Sequence, residues 1–268
     1  MKTILTTATL MAGMTLAGQT LADSPLLWQN NSLSYLYGKN FAVDAGEIQQ
    51  TITLEHASGW TWGDLFLFVD NKWYNGLSGG AGHTYYGEFQ PRLSLGKLSG
   101  RELSIGLLKD VLIAAQYERG ESNDAGVPNQ AYLLGPGFDL AVPGFDRFAL
   151  NIYYRKPDGA RGKASGQWQV TPVWAMTFPV GKSDLLFDGY IDWAVNDVGT
   201  KGTSNYVASN LQINPQLKYD LGKAMGWAPG KLYVGVEYLY WSNKYGIDDS
   251  SAFNTDNSTT SFLVKAHF

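Results

Sequence analysis

Leu211-Gln-Ile-Asn-Pro-Gln-Leu-Lys-Tyr-Asp-Leu221 alternates from end to end. A strand sends successive side chains to opposite faces. Leu211, Ile213, Pro215, Leu217, Tyr219 and Leu221 therefore share one face, and Gln212, Asn214, Gln216, Lys218 and Asp220 the other. Leu232–Trp241 repeats the pattern, with Leu232, Val234, Val236, Tyr238 and Tyr240 opposite Tyr233, Gly235, Glu237 and Trp241. In Gln167–Phe178, Trp168, Val170, Trp174, Met176 and Phe178 oppose Gln167, Gln169, Thr171 and Thr177. Alternating segments of about 9–11 residues have the length of strands that cross a membrane.

About twelve such segments follow one another, near 28–38, 47–58, 63–72, 84–95, 111–119, 130–141, 147–155, 166–179, 185–195, 209–221, 231–242 and 259–268. The connections alternate in length. Those around 39–46, 73–83, 120–129, 156–165, 196–208 and 243–258 are rich in Gly, Asn, Asp and Ser. Ser58-Gly59, Val142–Asp146 and Val180–Asp184 read as tight turns. An even strand count with short turns on one side and longer loops on the other is the organisation of an outer-membrane barrel. Two short-side connections, 96–110 and 222–230, are longer than this rule prefers, and Lys97–Ser104 has room for a helical turn. The last stretch puts Phe262, Val264, Ala266 and the terminal Phe268 on one face, an aromatic ending typical of such barrels.

Bulk composition agrees with an all-β transmembrane barrel. Charged residues make up 16%, aromatics 14%, and there are 31 glycines among 268 residues. A net charge of −4 offers no basic field for nucleic acid. Cysteine is absent, which removes disulfides, thiolate metal sites and a cysteine nucleophile together. Lys2, an apolar run from Ile4 to Ala17 and Thr20-Leu21-Ala22 read as a signal peptide over 1–22, with the barrel occupying 23–268. That run is shorter than the ~20 apolar residues of a spanning helix. The expected location is the outer membrane of a Gram-negative cell, in contact with its lipid.

Charge avoids lipid, so the charged face of each strand must be the lumen. Gly63-Asp-Leu-Phe-Leu-Phe-Val-Asp70 then turns Leu65, Leu67 and Val69 to lipid, and Asp64, Phe66, Phe68 and Asp70 inward. The same rule assigns Glu55, Glu88, Arg92, Asp139, Arg147, Arg155, Asp188 and Asp192 to the lumen. It adds Lys218, Asp220, Glu237 and Lys265, with Tyr86, Tyr153, Tyr190 and Tyr233. Most of these charges are expected to pair with one another and fill the interior. A narrow slot left between charged and aromatic walls suits a planar, polar, uncharged solute; nucleosides, sugars and aromatic acids all qualify. Trp60, Trp62, Trp73, Tyr74, Trp193 and Trp241 fall near strand ends, where interfacial girdles lie.

Gly63–Asp70, Glu88-Phe-Gln-Pro-Arg-Leu-Ser-Leu95 and Asp188-Gly-Tyr-Ile-Asp-Trp193 resemble, in order, the recurring strands of the nucleoside-specific channel-forming (Tsx) superfamily, especially its OmpK-like branch. Asp64…Asp70 matches the family's Asp-aromatic-Gly-Tyr-x-Asp type of strand, with Leu67 where Gly is common. The resemblance implies a monomeric twelve-stranded barrel that passes nucleosides through a slot with aromatics on one wall and ionisable groups on the other. It also implies, for OmpK-like members, loops that phages recognise. Carried over position by position, it gives Asp64, Phe66, Phe68, Asp70, Glu88, Arg92, Asp188, Tyr190 and Asp192 as lumen-binding residues. Tyr35 and Tyr37, in the first strand, face lipid instead.

Two other classes compete with a passive channel. A display barrel would merely present loops, among them Asp248–Asn257, whose acidic spacing is not that of an EF-hand. A barrel enzyme needs a nucleophile paired with a base. The histidines are His56, His83 and His267, and none has an evident serine partner in the sequence. His56 reads as an interfacial residue, His83 as part of a flexible Gly-rich outer loop, and His267 as inward-facing at the periplasmic end. That loop has no following helix to support phosphate binding. No catalytic residue, metal or cofactor is therefore expected.

Overall fold

The structure, a computed structural model, describes residues 24–43, 48–75, 82–121, 128–157, 163–248 and 253–268. The expected signal peptide lies outside the described residues, as do 78–81 of the Gly-rich loop and 249–252 of the acidic loop.

Twelve antiparallel strands form one closed up-and-down barrel. They are β1 Leu26–Lys39, β2 Ile48–Trp60, β3 Gly63–Asn75, β4 His83–Ser94, β5 Leu108–Glu121 and β6 Pro128–Leu140. β7 Arg147–Pro157, β8 Gln167–Val180, β9 Ser183–Ala194, β10 Asn210–Asp220, β11 Leu232–Ser242 and β12 Asn257–His267 complete it. β1 closes on β12, with Ser32 opposite His267 and Tyr35 opposite Val264. In hydrocarbon an unpaired backbone group costs several kcal/mol, so a spanning sheet has to close.

The faces divide as the alternation requires. Leu33, Ile52, Leu54, Ile113, Leu134, Leu217, Val236 and Phe262 are exposed on the outer surface, while Ser32, Ser34, Thr51, Thr53, Gln116, Asn151 and Lys218 are buried within. A soluble sheet would invert this distribution. Strand length runs from 11 to 14 residues, a little beyond the expected span.

Three local readings change. The β2–β3 turn is Thr61-Trp62, not Ser58-Gly59. Gly59 stays in the strand because the Trp28 indole lies over it; a Cβ there would stand 2.1 Å from Trp28 Nε1. Trp73 and Trp193 point outward, but Tyr74 and Trp241 leave the girdle. Tyr74 is buried opposite Gln49, its hydroxyl 3.1 Å from Thr84 Oγ1. Trp241 turns inward opposite Gln212, with the Lys244 ammonium over its ring. His83 opens β4 and packs against Trp73 at 5.1 Å, so it belongs to a strand rather than a loop.

The two long short-side connections each carry a helical turn, α1 Leu95–Ser99 and α2 Leu221–Ala224. Ser94 Oγ accepts the Lys97 amide of α1 at 3.0 Å, and Asp220 Oδ1 accepts the Lys223 amide of α2 at 2.8 Å. This end, with the short turns and the chain terminus, is the periplasmic end of an outer-membrane barrel.

Candidate functional site

The inner surface has two kinds of wall. Across β5–β7 ion pairs lie flat over small or apolar residues at the positions between them. Arg92 of β4 donates Nε to Asp64 Oδ1 at 2.8 Å and Nη2 to Asp64 Oδ2 at 2.5 Å, and Nη1 to Asp139 Oδ1 at 2.8 Å. Asp139 is two strands away on β6; the intervening position opposite Arg92 is Ala114. Arg155 of β7 reaches Glu118 of β5 in a two-pronged contact, 2.7 Å at each prong. Ala131 and Leu133 of β6 lie between them. Lys265 of β12 pairs with Glu55 of β2 over Ser32 and Ser34 of β1. A larger side chain at any of these middle positions would force the pair up into the bore. Tyr153, only 1% exposed, packs onto Ala114, Ala131 and Leu133 and seals this wall.

The surfaces on either side of it, from β3–β4 and from β9–β11, are aromatic and carboxylate-bearing. Phe66 and Phe68 have ring centroids 6.0 Å apart, and Phe68 stands 6.0 Å from Tyr86. Register fixes this cluster: Phe66 faces Gln90, Phe68 faces Glu88 and Asp70 faces Tyr86. Tyr86 donates its hydroxyl to Glu88 Oε1 at 2.6 Å, and Gln90 Nε2 donates to Glu88 Oε2 at 2.5 Å. Asp70 accepts from Thr53 Oγ1 at 2.7 Å and lies 3.7 Å from Lys72 Nζ. On β9, Asp192 accepts from Thr171 at 2.6 Å and Gln169 at 2.8 Å, while Tyr190 Oη accepts from Gln212 at 2.9 Å. Asp188 takes Lys218 Nζ at 2.7 Å on one oxygen and leaves the other without a partner. Tyr190 lies within electrostatic range of Asp192, Glu88, Glu237 and Asp70, so β3–β4 and β9–β11 face each other across the bore.

All nine residues expected in the lumen point into it, at three places. Asp64 and Arg92 form an ion-pair anchor with Asp139. Phe66, Phe68, Asp70 and Glu88 join Tyr86 on one side of the bore, and Tyr190 and Asp192 approach from the other. Asp188 is paired to Lys218 along its own wall. Sequence reading missed Glu118, and it set Gln169 and Gln212 on polar faces without giving them a role. Glu118 sits beside Arg119, which faces outward to the Tyr117 hydroxyl at 3.4 Å. Charge on both faces, with Leu112 and Ala114 inside, hides the alternation of β5. The amides were legible from alternation, as the polar partners of Asp192 and Tyr190.

One arrangement gives His56, read as an interfacial residue, a serine partner that the sequence did not show. Its Nε2 lies 3.0 Å from Ser58 Oγ and its Nδ1 2.8 Å from Asn31 Oδ1, all on the outward face of the sheet. The order Ser–His–Asn has the connectivity of a hydrolytic triad. Ser58, however, has no exposed surface, and its oxygen already accepts Trp60 Nε1–H at 2.9 Å. An ester carbonyl has no approach to it. The network instead knits β1 to β2 beside the stacked Trp60–Trp62 pair, 5.6 Å apart at the short-turn end.

Comparison with known proteins identifies the family. Residues 25–268 match the family described as "Nucleoside-specific channel-forming protein, Tsx". Outer membrane protein OmpK of Vibrio parahaemolyticus is 23% identical over 167 residues, 60% of this chain and 56% of that protein. The nucleoside-specific channel-forming protein Tsx of Salmonella typhimurium is 26% identical over 180 residues, 59% of this chain and 60% of that protein. The matches thus span less than two thirds of these curated relatives. Among solved structures, the KdgM porin is similar at 13% identity and a TM-score of 0.45, covering 88% of this chain and 99% of that one. With the match running over nearly all of the described barrel, the chain belongs to the Tsx family of outer-membrane channel proteins.

Proposed function

We propose that the protein is a passive outer-membrane channel for nucleosides or similar small polar solutes, acting as a monomer after removal of residues 1–22. One observation carries this reading. Tyr153 is sealed into its wall, whereas Phe66, Phe68, Tyr86 and Tyr190 all keep part of their surface open to the bore. Sealed aromatics fill space; part-open ones offer a face to a passing ring. A base stacked on such a ring gains about 1–3 kcal/mol where this has been measured in single-strand binders. Asp70, Glu88, Asp188, Asp192 and Gln212 supply acceptors and a donor for sugar hydroxyls and ring edges. Arg92 and Asp64 hold the wall rather than the solute. The long loops opposite the short-turn end suit phage recognition as a second use of the same barrel.

Uptake into proteoliposomes tests the reading. Labelled adenosine should enter faster than a disaccharide or adenosine monophosphate, and excess thymidine should compete with it. Equal entry of all three solutes would reduce the protein to a general pore. No entry of any would leave a barrel that only displays its loops.

A further inference from the structure

A lysine or arginine on the lipid side of a barrel is destabilising at the bilayer midplane and tolerated only near the interfaces. β5 and β7 follow this rule. On β5 the outward positions from Val111 to Tyr117 are uncharged until Arg119, and on β7 those from Phe148 to Tyr154 are uncharged until Lys156. Both cations are exposed, and each stands within two residues of the long-loop end of its strand. That end faces the outside of the cell, so both reach the headgroups of the outer leaflet.

Neither cation is neutralised by the protein. Arg119 donates Nη1 to the Tyr117 hydroxyl at 3.4 Å and also reaches the Tyr85 hydroxyl, but no carboxylate pairs with it among the described residues. Glu121 stands two positions further out on the same strand and makes no ion pair with it. Lys156 holds neither a hydrogen bond nor an ion pair among the described residues. The lumen treats its cations differently: Arg92, Arg155, Lys218 and Lys265 each hold a carboxylate. Paired cations inside and open ones outside leave the outer face with positive charge to satisfy.

Register gathers these groups into one patch. Arg119 has Gly87 beside it on β4 and Gln130 on β6, so β4 puts no side chain against it at that level. In the next row toward the short-turn end, Tyr117 faces Tyr132 and Tyr132 faces Lys156. The two cations thus stand two strands apart, roughly 10 Å along the sheet. Between them the Tyr117 and Tyr132 rings stack with centroids 5.1 Å apart, and Tyr132 is 46% exposed. Arginine grips a phosphate with two parallel N–H donors, and a lysine ammonium adds a point charge. Amphipathic rings settle at the headgroup level.

We propose that the outward face of β5–β7 at the long-loop end binds a phosphorylated glycolipid of the outer leaflet. Arg119 takes one phosphate, Lys156 a second, and the Tyr117–Tyr132 shelf carries the sugar between them. This site is on the lipid side of the sheet and owes nothing to the bore, so it stands whether or not the channel passes nucleosides.

Titration of delipidated, folded protein in detergent micelles with bis-phosphorylated lipid A, read by native mass spectrometry, tests this. The native protein should take up lipid A but not its fully dephosphorylated form. Arg119→Gln with Lys156→Gln should raise the apparent Kd about tenfold, and Arg119→Lys alone should fall between the two. Lys39→Gln, at the end of β1 and outside the patch, should change it less than twofold. Equal binding by the double variant, or equal uptake of dephosphorylated lipid A by the native protein, overturns the proposal and leaves only acyl-chain contact. Inorganic phosphate that competes as strongly as lipid A also overturns it, in favour of a free-anion site. Heat-modifiable migration on gels confirms that each variant has closed its barrel; if the double variant has not, the comparison of the two lipids on the native protein decides.

Discussion

Tyr153 and Phe68 are both lumen aromatics, yet they do opposite things. Tyr153 lies on a wall of Ala114, Ala131 and Leu133, buried to 1% exposure. Phe68 lies on a wall of other rings and carboxylates and stays part-open. Small neighbours let the first ring sink into its wall, and large neighbours hold the second up in the bore. The identity of a lumen aromatic therefore says little about its role; the residues on adjoining strands decide it. The ion pairs follow the same rule, since Arg92–Asp139 and Arg155–Glu118 stay flat only because the strand between them is small.

The largest test of this contrast is Tyr153→Ala. Removing a sealed aromatic should lower barrel stability by about 3–5 kcal/mol, read as a shift in the denaturant midpoint, with adenosine block unchanged. If block weakens as well, the two walls are not separate. Leu54→Arg, on the lipid face between the walls, should cost about 2–4 kcal/mol if it lies near the bilayer midplane. A neutral result there would invert the assigned faces. Arg155→Ala leaves Glu118 without its cation. A fully buried broken pair costs about 3–5 kcal/mol, and we expect about 2 kcal/mol here because both side chains keep some solvent contact.

The sequence carried the barrel, the strand order and the inward set well, because a side-chain period of two is a strong signal over twelve strands. It failed where tertiary contact overrode local signs. Ser58-Gly59 looks like a turn, but the glycine is there to admit the Trp28 ring. Tyr74 and Trp241 lie near strand ends, yet the parity of their own strands sends them inward. The Ser58–His56 contact was visible only as a spacing of two on one strand, and Asn31 arrives from a different one. Whether Phe66 and Phe68 stay open could not be read at all, since exposure depends on which residues the register brings beside them on adjoining strands.

The smallest expected effect lies outside the bore. Asp197, between β9 and β10, accepts the Ser209 amide and the Tyr206 hydroxyl, each at 2.7 Å. The Ser209 amide foremost, and then Tyr206, hold its carboxyl below the usual range. Because the folded value is depressed, this carboxylate steadies the loop above its ordinary value and loses that effect as pH falls through the folded one. Exchange of the Ser209 amide should therefore depart from its intrinsic pH dependence only in acid, and Asp197→Asn should abolish the departure. The same departure in the variant would assign it to another group.

The central claim is that the Phe66–Phe68 wall touches the solute. Adenosine block of single channels, compared between the native protein and Phe66→Ala/Phe68→Ala, tests it most directly. Loss of two stacking faces should raise the half-blocking concentration about tenfold to a hundredfold while the denaturant midpoint moves little. Unchanged block with a native-like midpoint would show that the two rings only fill space, and would contradict the account.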